Sequence, residues 1–157
     1  MSLAGVDAPR ATRYVDLSID QLTRNASVIF EGQVTGIRSD WNADRTRIYT
    51  TVTVRVDQYH KGNLGRGVVD VRFAGGSVGD IGMAVVGQPT FAPDERVFLF
   101  LRPNFDVRDT PIVGDAAGKM RVATDASGAD ILLGPAATFE KDDVVREIRS
   151  VLRPIGQ

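Results

Sequence analysis

Few residues in this chain are of types and spacings that could do chemistry. Gly75-Gly76-Ser77-Val78-Gly79 matches G-x-S-x-G, the turn that presents a nucleophilic serine in hydrolases. That motif works when a strand runs into a helix and lifts the serine into a strained turn, with its histidine later in the chain. Here Asp80-Ile81-Gly82 follow without a helical period, and the single histidine, His60, precedes the serine. The segment therefore reads as a glycine-rich loop between strands. The same glycines lack a following G-K-[ST] and a helix N-terminus, so they do not read as a phosphate cradle. Asp40-Trp41-Asn42-Ala43-Asp44 begins like a calcium loop, but Arg45 and Thr51 stand where glycine and glutamate are needed, and a solvated hairpin loop is expected. His60, near which no carboxylate or nucleophile has a sequence-defined place as partner, reads as a surface residue at a strand end. There are no cysteines, which excludes disulfides and zinc–thiolate sites. These readings assign no catalytic residue, no metal and no cofactor, and the chain is expected not to be an enzyme.

What remains is a candidate binding face. Trp41, Arg47, Tyr49 and Arg55, with Arg38 beside them, could stack on bases and contact phosphates as single-strand-binding barrels do. The polar faces of strands also carry Arg, Tyr and Thr simply to stabilise and solvate the sheet. Nineteen basic and twenty acidic residues leave a formal charge of −1, so no global field gathers nucleic acid. Nucleic-acid binding is kept as the alternative to protein or peptide binding.

These residues must be positioned by strands. In 47–56, Ile48, Thr50, Val52, Val54 and Val56 alternate with Arg47, Tyr49, Thr51, Thr53 and Arg55, the period of a strand with one buried face. Val97-Phe98-Leu99-Phe100-Leu101 is apolar on both faces and predicts a strand covered on both sides. Further strands are predicted from Val28 to about Arg38, with bulges invited by Gly32 and Gly36, and over 46–59, 68–73, 83–86, 119–124 and 129–133. Ser18-Ile19-Asp20-Gln21 has the form of a capping box opening a short helix. Thr138 is expected to cap a last helix, with Phe139, Val144, Val145, Ile148, Val151 and Leu152 as its apolar stripe.

At 157 residues and 43% hydrophobic composition, the chain suits one globular domain. Residues 1–16 are expected to be a loose N-terminal segment and 17–157 a single OB-like domain. The expected fold is mainly β: a small antiparallel barrel of five or six strands with an N-terminal and a C-terminal helix. No signal peptide is visible at the start, and no apolar run approaches the ~20 residues of a membrane span.

The segments ASVIFEGQVTGIRSDW (26–41), IYTTVTVRVDQYHKG (48–62), VRFAGGSVGDIGMAVVGQPTFAPDERVFLFL (71–101) and VGDAAGKMRV (113–122) together resemble a group of uncharacterised bacterial secreted proteins. In that group an A-D-x-I-V-x-G-x-V strand, a T-x-V-x-V strand ending in K-G, a G-G segment and a G-E-x-x-L-F-L strand recur in order. Asp94 stands where the group usually has glycine. The group is similar to the OB-fold barrels of netrin-like and metalloprotease-inhibitor domains. The resemblance implies a periplasmic or extracellular module that binds protein or peptide. The inhibitors' zinc-chelating N-terminal cysteine has no counterpart here, so that mechanism does not transfer.

Overall fold

The computed structural model describes residues 17–154; the loose segment expected over 1–16 lies outside them. Helix α1 (Ile19–Asn25) opens with the expected capping box: the Ser18 hydroxyl accepts from the Gln21 amide, and the Gln21 side chain accepts from the Ser18 amide. There follow β1 (Val28–Trp41), β2 (Ile48–Lys61), β3 (Val68–Ala74), β4 (Gly76–Val78), β5 (Ile81–Met83), β6 (Arg96–Leu101), β7 (Lys119–Thr124), β8 (Asp130–Leu133), β9 (Thr138–Glu140) and α2 (Lys141–Leu152). Seven strands form one antiparallel sheet in the order β3-β2-β1-β6-β7-β8-β9, and β4 and β5 form a separate hairpin.

Strand β6 is central and buried on both sides, as its double apolar pattern requires. Phe98 and Phe100 face one apolar cluster with Ile29, Met120, Val122 and Leu132, roofed by Leu22 of α1 and by Val144 and Ile148 of α2. Val97, Leu99 and Leu101 face the other, with Phe30, Val34, Val52, Val54, Val69 and Val71. This second cluster fills the concave side of the β1–β2–β3 portion.

The fold is mainly β with two helices, but among the described residues the sheet is not closed into the expected barrel: β3 and β9 are its edges and no strand pairing joins them. Where a barrel would pair β3 with another strand, the loop after β6 crosses instead. Ile112 bridges Leu101, the Ala74 amide donates to the Asp109 carbonyl (3.0 Å), and Phe105 plugs the concave core. The gap is spanned by irregular chain.

Three further expectations are corrected. The glycine-rich loop at 75–82 contains the β4–β5 hairpin, whose three-residue strands show no period-two pattern. The strand expected over 83–86 is present only as Met83, the last residue of β5. Thr138 is not a helix cap; it starts β9, and α2 begins at Lys141 after Glu140, whose side chain makes no capping bond.

Strands β1 and β2 form a long hairpin whose register slips between Ile29 and Phe30, Glu31 and Gly32, and Val34 and Gly36, near the glycines expected to bulge. At Gly32 a Cβ would stand 2.1 Å from the Arg55 carbonyl oxygen, so only glycine permits this approach. Gly32→Ala is expected to cost about 1–3 kcal/mol, read as a lower urea midpoint. Asp94 holds φ +63°, a left-handed conformation that favours glycine. Asp94→Gly is accordingly expected to stabilise the protein by about 1 kcal/mol, seen as a raised Tm.

Candidate functional site

The four residues singled out from sequence do not form one site. Arg47 and Tyr49 meet on Asp109: the Arg47 guanidinium lies 2.6 Å from one carboxylate oxygen, and the Tyr49 hydroxyl donates to the other at 2.8 Å. Asp109 comes from the loop that covers the end of β3, so the cluster pins that loop to the sheet's outer face. The Arg72 guanidinium lies 3.6 Å above the Tyr49 ring. The hydrogen bond to Asp109, helped by partial burial, raises the Tyr49 phenol above its ordinary range. Trp41 stands at the tip of the hairpin, opposite Ile48, with Arg45 5.7 Å from its ring. Arg55 is six residues along β2 from Tyr49, roughly 20 Å away, bound to Gln33 and beside Asp57. In the expected hairpin loop, Asn42 accepts from the amides of Thr46 and Arg47, and Asp44 accepts from the Thr46 hydroxyl. Ser77 sits in β4 opposite Gly82, while the His60 ring is engaged elsewhere.

Beside this face lies an apolar cavity of ≈ 330 Å³ at the end of β3. Ile37, Val52 and Phe73 line its sheet side, and Met83, Val85 and Phe91 close it from the β5 hairpin and the following loop. Gln88 also lines it. Its side-chain amide nitrogen donates to the carbonyls of Ala74 (3.3 Å) and Asp109 (3.0 Å). That pair of acceptors fixes the amide orientation, because a flip would set oxygen against two oxygens. Gln88 Oε1 is then left buried, with no partner among the described residues. A buried acceptor without a donor costs about 1–3 kcal/mol.

Among the described residues, the edge of β3 from Val68 to Arg72 has no backbone partner beyond β2. The Gly67 carbonyl accepts from Val56 of β2, whereas the Ala74 amide points the other way, to Asp109. By the alternation of a strand, Val68, Asp70 and Arg72 turn their backbone groups to the free edge. Asp70 and Arg72 place charges on that edge, which restrains promiscuous pairing.

A second site escaped the sequence reading. His60 is not a surface residue: its side chain is 5% exposed and its Nε2 lies 2.9 Å from Glu31, itself 8% exposed. The other Glu31 oxygen accepts from Lys141 at 3.0 Å; Lys141 also meets Asp130, which pairs with Arg96. The His60 ring stacks on Phe98 at 5.0 Å. Burial pushes the Glu31 carboxyl up, but hydrogen bonds and charge from His60 and Lys141 outweigh it and hold the group below its usual range. Burial likewise works against the Lys141 ammonium, and its two carboxylate partners outweigh that and raise it. The local cause is a pair of β-bulges. Tyr59 pairs with Phe30 and Lys61 with Ile29, leaving His60 unpaired between them; Asp57 is skipped in the same way. Bulges re-aim side chains, and these turn Gln58 and His60 toward α2 although residues 52, 54 and 56 face the concave core. The available signal was Glu31 itself, a carboxylate following the apolar run Val28-Ile29-Phe30.

The described residues thus define a mainly β protein: a seven-stranded antiparallel sheet, two helices on one face, and an apolar cavity on the other. No helix among them is long and apolar enough to cross a membrane. No family model, curated protein or solved structure matches the chain.

Proposed function

We propose that this protein is a non-enzymatic module of the bacterial periplasm or cell exterior that binds an extended peptide segment of a protein partner. The observation carrying the reading is the apolar cavity at the end of β3, beside a strand edge with no backbone partner among the described residues. An extended segment adds to an exposed edge through backbone hydrogen bonds, and pockets for its alternate side chains supply selectivity. A tryptophan side chain matches the cavity in kind, with a large apolar body for its Ile37, Val52, Phe73 and Phe91 lining. Arg47, Tyr49 and Arg72 flank the same end of the sheet, and Trp41 and Arg55 lie outside the contact. An OB-type roll, with the crossing loop in place of a closing strand, is the architecture this reading assumes. The compartment follows from the resemblance to secreted proteins.

The test is titration of a short acetylated peptide, Thr-Val-Trp-Val-Thr, followed by amide chemical shifts. Shifts are expected along Val68–Arg72 and around Gln88. Gln88→Leu, Val85→Trp (which fills the cavity) and Arg72→Pro are each expected to weaken binding by about tenfold or more. Proline at Arg72 removes an outward N–H without touching the β2 ladder. Binding unaffected by all three variants would end the proposal. The single-stranded nucleic-acid alternative predicts instead tight binding of an oligothymidine that falls steeply between about 50 and 200 mM salt.

A further inference from the structure

A cleft of ≈ 400 Å³ lies between the β1–β2 hairpin and α2, lined by Glu31, Gln58, His60, Lys141, Arg146 and Arg149, with the Asp142 carboxylate at its rim. Its chemistry follows from the buried pair at its floor. Glu31 is held ionised and can only accept hydrogen bonds, so the His60 nitrogen facing it must carry the proton. In a neutral ring, the other nitrogen, Nδ1, is then a bare acceptor; in a protonated ring it becomes an N–H donor with a positive charge. No described residue bonds to Nδ1, nor is it a buried unpartnered atom, which leaves it to the cleft. The ring cannot turn away, because it is clamped between Glu31 and the face of Phe98.

The surrounding charges complete the argument. Lys141 is committed to Glu31 and Asp130, and Arg146 lies 2.8 Å from Asp143. Arg149 lines the cleft with no carboxylate partner among the described residues. The groups facing His60 are Glu31 from β1, and Lys141, Asp142, Arg146 and Arg149 from α2; Asp130 of β8 and Arg96 of β6 stand behind Lys141. The lining cations Lys141, Arg146 and Arg149 outnumber the lining carboxylates Glu31 and Asp142 by one, and protonation of His60 adds another positive charge.

We propose that this cleft binds a small oxyanion — a carboxylate, sulfate or phosphate group — between His60 Nδ1, Gln58 and Arg149, and that binding takes up a proton on His60. The ligand oxygen accepts from the protonated ring and from the Arg149 guanidinium; with a neutral ring it would face a lone pair. The coupling is reciprocal: acid favours the anion, and the anion favours the protonated ring.

Calorimetric titration with sulfate tests this, because the charge of sulfate is constant between pH 5 and pH 8. Affinity is expected to be about tenfold higher at pH 5.5 than at pH 8, with proton uptake visible as a buffer-dependent heat. Arg149→Ala, an exposed substitution, is expected to weaken binding at both pH values. His60→Gln is expected to abolish the pH dependence. Competition by succinate or by phosphate at fixed pH identifies the preferred oxyanion. Absence of binding at pH 5.5, equal affinity at both pH values, or unchanged binding in Arg149→Ala overturns the proposal, even if His60→Gln fails to fold.

Discussion

Glu31→Ala lowers the free energy of unfolding by about 3–5 kcal/mol, the largest effect expected of any single polar substitution here. The carboxylate accepts from both His60 and Lys141, and the His60 and Glu31 side chains are almost wholly buried. Removing it leaves Lys141 with Asp130 alone and His60 without its anchor. The loss comes from the orphaned partners as much as from the lost pair, and a companion variant separates the two. Replacing Glu31, His60 and Lys141 together by apolar residues of similar volume is expected to recover most of the stability. Urea unfolding measures both. The pH dependence has a definite sign. Glu31 titrates lower in the folded chain than in the unfolded one, so its contribution is present at neutral pH and fades as acid protonates it, below about pH 4.3. Asp130, lowered first by its hydrogen bond from Arg96 and then by Lys141, fades in the same direction. Wild-type stability therefore drops below about pH 4.3, and Glu31→Ala is expected to flatten that drop; an equally steep acid limb in the variant would refute this account.

Phe98→Ala is the second large effect, about 3–5 kcal/mol, equivalent to a fall in Tm of roughly 6–20 °C. Phe98 is fully buried, tilts against Phe100 at 5.6 Å and carries the His60 ring on its face. Truncation opens a void at the contact between the helices and the sheet and removes the floor of the Glu31–His60 pair. The two substitutions share His60, so their costs should not add; a double-mutant cycle is expected to show clear coupling between them. Strict additivity would mean that the stack on Phe98 does not hold the imidazole in place.

The parts of the fold written in local pattern were legible in the sequence. The run Val97–Leu101 announces burial on both faces, Ser18 and Gln21 announce the start of α1, and the period of 48–56 announces a half-buried strand. The parts that depend on register were not. Glu31 and His60 lie 29 residues apart and meet only because bulges at Asp57 and His60 change which residues of β2 face the helices. A period-two reading carried past Val56 puts His60 on the wrong side. In sequence Thr138 resembles a helix cap, with Phe139 and Glu140 inside the helix, because the three residues of β9 carry no strand period of their own before the helical stripe. The candidate binding residues share a strand or a hairpin in sequence, yet Arg55 stands far along β2 from the Asp109 anchor that joins Arg47 to Tyr49, and Trp41, paired with Ile48, meets Arg45 instead of that anchor. Asp109 itself had no distinguishing pattern, since its role comes from a loop crossing the sheet edge.

Strand β9 ends at Glu140 and α2 starts at Lys141, with no residue between them to act as a hinge. The last helix is thus welded to the sheet's outermost strand and cannot swing while that strand remains paired. Amide exchange should therefore show the segment from Thr138 to Leu152 detaching as one cooperative block, its strand and helix protons sharing a single opening free energy.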